Sequence, residues 1–116
     1  KAAKYSLKDT TLVDLGTKKI HKYPTPTKEF DIAKMVVDGR YPQDPNKFII
    51  EHKCQFVIYV TKGTGKIYVG EEIIDVNEGD VVFVPTETKF ASEGKMEYIT
   101  VDVPAFYIEQ SEEITV

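Results

Sequence analysis

Polar and apolar residues alternate most clearly from Met96 to Val103. Glu97, Ile99, Val101 and Val103 fall on one side of an extended chain, and Met96, Tyr98, Thr100 and Asp102 on the other, because successive strand side chains point to opposite faces. Only the first side is mostly apolar, so the Tyr98 side is open to two readings, a polar lining or the solvent side. The densest apolar run, Phe48 to Thr61, is rich in Ile, Val, Phe and Tyr, a composition that favours strand over buried helix. Alternation along it places Ile50, His52, Cys54, Phe56, Ile58 and Val60 on one face, with Glu51 opposite.

Shorter β-rich runs cover Lys18 to Tyr23, Lys66 to Val69, Ile73 to Val76, Val81 to Pro85 and Lys89 to Ala91. Turn chemistry separates them at Pro24-Thr25-Pro26, Gly63-Thr64-Gly65, Gly70-Glu71-Glu72, Asn77-Glu78-Gly79-Asp80 and Glu93-Gly94-Lys95. Phe30 to Val37 is ambiguous: Ala33, Lys34 and Met35 tolerate a helix, whereas Val36-Val37 and Asp38-Gly39 favour a strand and turn. The tail Glu109 to Val116 is either an extra edge strand or loose. Short strands at close intervals predict an all-β fold, a sandwich or barrel.

The 116 residues suit one domain with one core, and no linker composition divides them. A net charge of -4 with dispersed basic residues excludes a phosphate-neutralising nucleic-acid surface. The run Lys18, Lys19, His21, Lys22 reads as a solvated strand face. Cys54 is the only cysteine, so no intrachain disulfide or multi-thiolate zinc site forms, and a reducing cytoplasmic setting is expected. The longest apolar stretch, Phe56 to Val60, is far too short for a membrane helix, and Lys1-Ala2-Ala3-Lys4 has no apolar signal core behind it.

From Phe56 to Pro85 the succession Phe-Val-Ile-Tyr-Val-Thr-Lys-Gly-Thr-Gly, a strand, then Glu-Gly-Asp-Val-Val-Phe-Val-Pro resembles the cupin superfamily, whose motifs G-x5-HxH-x3,4-E-x6-G and G-x5-PxG-x2-H-x3-N lie on neighbouring strands. The resemblance spans about residues 38–103, leaving 1–37 and 104–116 as flanking strands of a single barrel domain. It implies a small jelly-roll β-barrel of the RmlC-like type. Gly79 and Pro85 keep the second motif's spacing, but its glycine falls on Glu87, its histidine on Phe90 and its asparagine on Gly94. In the first motif the closing glycine is Gly63 and the glutamate falls on Phe56. The histidines fall on Ile50 and His52, or with the longer spacing on Ile49 and Glu51. At most one of four metal ligands survives in this register, so no metal and no cofactor is expected. A rearranged ligand set of Glu51, His52 and Cys54 would require a bulge.

By the resemblance, the His52 face is the barrel interior. The candidate ligand-binding residues are therefore His52, Cys54, Phe56, Phe90 and Tyr98. His52 is the candidate catalytic residue, a ligand-binding group or general base if it is not a satisfied core histidine. Cys54 is a small buried hydrophobe or, less in keeping with its sequence neighbours, a nucleophile. Arg40, Tyr41 and Lys89 are candidates to close a pocket mouth on a carboxylate or phosphate.

The leading functional expectation is a metal-free cupin-type barrel binding a sugar-like or carboxylate ligand. The alternatives are a metal-independent isomerase or epimerase using His52, a dimeric module with a filled barrel and, weakest, a metal-dependent oxygenase. A homodimer is expected, with the Lys18 to Tyr23 run and the C-terminal tail as candidate contact strands.

Overall fold

A computed structural model describes residues 1–116. Nine strands form one antiparallel sheet curled into a small jelly-roll barrel: β1 (Thr11–Asp14), β2 (Lys18–Lys22), β3 (Asp31–Tyr41), β4 (Lys47–Glu51), β5 (Gln55–Val69), β6 (Glu72–Asn77), β7 (Val81–Val84), β8 (Lys89–Val103) and β9 (Ser111–Thr115). The order β1-β2-β3-β8-β4-β9 wraps around β8, and β5 pairs with β6, β7 and the length of β8. No helix is long and apolar enough to cross a membrane.

The ambiguous segment from Phe30 is a strand, because β3 is hydrogen-bonded on both sides, to β2 and to β8. Two expected turns are absent. β5 runs unbroken through Gly63-Thr64-Gly65, and β8 through Glu93-Gly94-Lys95. Gly39, Gly94 and Gly65 sit opposite one another across β3, β8 and β5. A Cβ on Gly94 would lie 2.5 Å from Gly65 Cα and 2.6 Å from the Thr64 carbonyl oxygen. These glycines therefore serve close approach of paired backbones, a use of glycine that looks the same in sequence as a turn.

The flanks are used within the chain. β2 lies between β1 and β3, and Lys18, expected on a solvated face, is only 6% exposed. The tail forms β9 and pairs with β4. β2 is thus paired on both sides, whereas β9 ends the strand order with one edge unpaired.

The two faces of β8 are the reverse of an ordinary half-buried strand. Met96, Tyr98 and Thr100 are buried inside the barrel, while Val103 is exposed. Inward residues of β5 and β7, among them Ile58, Val60, Val82 and Val84, join Ile67, Val76 and Met96 in the core. Their neighbours Val57, Tyr59, Val81 and Phe83 point outward into solvent.

Candidate functional site

The barrel is not filled. A cavity of about 380 Å³ opens between β2, β3, β4 and β8, walled by apolar side chains that include Met35, Ile49, Phe56 and Phe90. Its polar groups come from several strands. Alternation in β2 brings Lys18 and Lys22 inward on either side of Ile20, and alternation in β8 brings Tyr98, Thr100 and Asp102. Asp31 arrives from β3, Tyr41 from its far end, and Glu51 from the end of β4.

The Lys18 ammonium lies 5.2 Å from the centroid of the Phe90 ring, 5.6 Å from that of Tyr41 and 5.7 Å from that of Tyr98. It belongs to none of the ion pairs in the chain. Ring faces offset part of its lost hydration, at about 0.5–2 kcal/mol each, but supply no acceptor. Tyr98 Oη and Thr100 Oγ1 are buried without a hydrogen-bond partner. Leaving such a group unpaired costs roughly 1–3 kcal/mol, so the cavity wall presents several unmet polar demands.

Asp31 and Asp102 are cross-strand neighbours. Asp31 Oδ2 accepts the Phe106 N–H at 2.8 Å, while its Oδ1 is buried without a hydrogen-bond partner. Burial, then the neighbouring Asp31 and Glu51 charges, push Asp102 up to about 8 against a pull from Lys22. Burial also raises Glu51, whose carboxylate accepts hydrogen bonds from the Gln110 amide and the Ser111 hydroxyl.

No protein-family model matches the chain, and no curated protein does. Solved structures do. Streptomyces Pac13, described as a nucleoside dehydratase, superimposes with a TM-score of 0.89 over 99% of this chain and 92% of its own, at 17% identity. Pac13 variants with uridine match as well. An RmlC-like cupin from Shewanella frigidimarina gives 0.71 over 88% and 90% at 21% identity, and KdgF from Halomonas sp. gives 0.74 over 94% and 99% at 13%. This chain has the cupin fold.

The residues at the cupin metal positions do not fit a metal. Phe56 and Phe90 pack edge to face inside the barrel, with centroids 5.1 Å apart and planes at 89°, and their rings carry no lone pair for a cation. No cluster of three His, Cys, Asp or Glu side chains assembles elsewhere.

Of the residues singled out in the sequence, Phe56, Phe90, Tyr98 and Tyr41 line the cavity of this cupin barrel, whereas His52 and Cys54 do not. β4 ends at Glu51 and the chain bends through His52-Lys53 before β5 begins at Gln55. The bend breaks the alternation, putting Glu51 inside and His52 outside. His52 is a surface clip: Nδ1 lies 3.0 Å from Glu87 Oε1, and Nε2 lies 2.8 Å from Glu112 Oε1. Those two hydrogen bonds, Glu112 first, raise its pKa.

Cys54 has no exposed surface, and its S–H donates to the Pro104 carbonyl at 3.3 Å. Burial, with Asp102, Glu51 and Asp31 nearby, pushes the thiol up to about 12, and with the sulfur enclosed this argues against a nucleophile. Arg40 donates to the carbonyls of Pro42, Asp44 and Lys47 and Lys89 pairs with Glu71, so neither is a free carboxylate clamp.

Replacing His52 with Gln is expected to leave ligand-dependent stabilisation unchanged. Because the folded-state pKa is raised, the contribution of His52 to stability is full below about 6.5 and disappears as pH rises through the folded value. Melting curves at pH 5.5 and pH 9 should therefore show a deficit in the variant only at the lower pH. A deficit confined to pH 9, or a lost ligand response, would place His52 in the site after all.

Proposed function

We propose that this cupin-fold protein binds a compact hydroxylated small molecule, sugar-like or nucleoside-like, in its barrel cavity. The observation that carries this reading is the buried, unpartnered Tyr98 and Thr100 hydroxyls and Asp31 Oδ1, together with a Lys18 ammonium outside every ion pair, on the wall of a 380 Å³ space. A ligand that supplies an oxygen to Lys18 and hydroxyls to the acidic strand ends would meet those demands, while Phe56 and Phe90 cover its apolar surface. A carboxylate on the ligand would serve equally as the acceptor at Lys18. Uridine in the Pac13 structures makes nucleosides the first compounds to try. The cavity argues against a filled barrel, and the position of His52 argues against the isomerase mechanism built on it.

The test is thermal stabilisation by ribose, uridine, sugar phosphates and small carboxylates. Ligand at 100 times its Kd adds about 2.7 kcal/mol to the native state. Lys18→Met should weaken binding by about 10- to 100-fold, the worth of a charged hydrogen bond, and should itself be at least as stable as wild type without ligand, since it removes an unpaired buried cation. If no compound on the panel stabilises the protein, or Lys18→Met binds as wild type does, the reading is wrong.

A further inference from the structure

One arrangement in the cavity is not required by binding alone. Asp31 and Asp102 are cross-strand neighbours on β3 and β8, and both line the cavity. Asp31 is 5% exposed and fixed by the Phe106 N–H. On the same face of β8, the Thr100 hydroxyl, 3% exposed, and the Tyr98 hydroxyl, with no exposed surface, have no partner. A purely structural carboxyl pair would be enclosed by satisfied groups. This pair stands instead beside two unsatisfied hydroxyls on the wall of an open space.

We propose that Asp31 and Asp102 are an acid–base pair that enolises a hydroxylated aldehyde or ketone bound in the cavity. This rests on the cavity being a ligand site and adds a chemistry to it. Asp31 is the base: the Phe106 N–H fixes its Oδ2, and its Oδ1 is buried with no partner and free to take a proton. Asp102 is the acid: it faces Asp31 from β3, Glu51 from β4, Lys22 from β2 and the Cys54 thiol just before β5, and burial with the two carboxyls disfavours its charge against the pull of Lys22. One carboxyl held by a backbone donor and one crowded by neighbouring carboxyls divide the roles of base and acid.

The step balances without a co-reactant. Asp31 takes the proton from the carbon beside the carbonyl, and the C–H electron pair becomes the C=C bond. The carbonyl π pair takes the Asp102 proton and becomes the enediol O–H. The pair holds one proton before and one after, so return of a proton to either carbon, or to the other face, gives isomerisation or epimerisation.

The experiment follows loss of the proton signal at the carbon beside the carbonyl in deuterium oxide by NMR, with the full chain and with D-glyceraldehyde, dihydroxyacetone, D-ribulose and D-ribose. Melting curves with the same compounds run beside it. Wild type should exchange at least one of them well above the buffer blank, and exchange should fall above about pH 8 as the pair loses its proton. Asp102→Asn and Asp31→Asn should each lower the rate by about 100-fold or more, while His52→Gln keeps it. Exchange undiminished in a folded Asp102→Asn protein overturns the proposal. Stabilisation by a compound that does not exchange also overturns it, but leaves the binding reading standing. Neither stabilisation nor exchange removes both.

Discussion

Asp102→Asn is expected to be more stable than wild type at pH 8, by an amount that shrinks to nothing near pH 4. The carboxyl is held at about 8 in the folded chain against an ordinary value of 3.8. Across that window the native state keeps a proton that the unfolded state has lost. Stability contributed by such a group is full below about 4, falls as pH rises, and levels off above about 8. A shift of this size, at about 1.4 kcal/mol per pH unit, bounds the loss at roughly 6 kcal/mol. Asparagine has nearly the same shape and does not titrate. Urea unfolding of both proteins at pH 4, 6 and 8 checks this. The wild-type midpoint should fall with pH relative to the variant, and parallel curves would show that Asp102 is not held protonated by the fold.

The protein is expected to sediment as a homodimer at tens of micromolar, and Phe83→Glu to sediment as a monomer. On the outer face of the sheet, Phe83, Val57 and Val101 form a row across β7, β5 and β8, with Val81, Tyr59 and Ile99 as the next row. Phe83 is 54% exposed and Val81 63%. An apolar face continuous over three strands is unusual for a monomer. At its far side Lys34 and Glu97 pair with each other within the chain, so no unpaired charge from these two residues opposes an apolar partner. A second copy meets the face with the same rows across a two-fold axis, which is the commonest closed arrangement. A central aromatic in such an interface is worth about 2–4 kcal/mol, so a glutamate there should weaken association by well over 30-fold. Wild type sedimenting as a monomer would refute the expectation, as would a Phe83→Glu dimer.

The sequence by itself determined the class of fold and much of the strand layout. Strand composition and turn residues located most of the strands, and the spacing from Gly79 to Pro85 carried the resemblance to cupins. It also placed Phe56 and Phe90 where that family keeps ligands, and grouped Tyr98, Thr100 and Asp102 on one strand face. It missed β1 and read the glycines at 63, 65 and 94 as turns, because close backbone approach and chain reversal call for the same residue.

What only the tertiary structure decided is which face looks inward and which distant residues meet there. Alternation states that two faces differ, and the usual rule sends the apolar one inside. A barrel with a ligand-sized cavity and an apolar exterior reverses that rule, so Tyr98, Thr100 and Asp102 line the interior while Val101 and Val103 look out. Parity also survives only while a strand continues. The bend at His52-Lys53 ended it, exchanging His52 for Glu51, although the polar stretch from Glu51 to Gln55 interrupting the apolar run was a visible sign. No local pattern could bring Asp31 to Asp102 or enclose Lys18 among Tyr41, Phe90 and Tyr98. Those contacts arise from strand pairing between segments far apart in the chain, whose register is a property of the closed sheet.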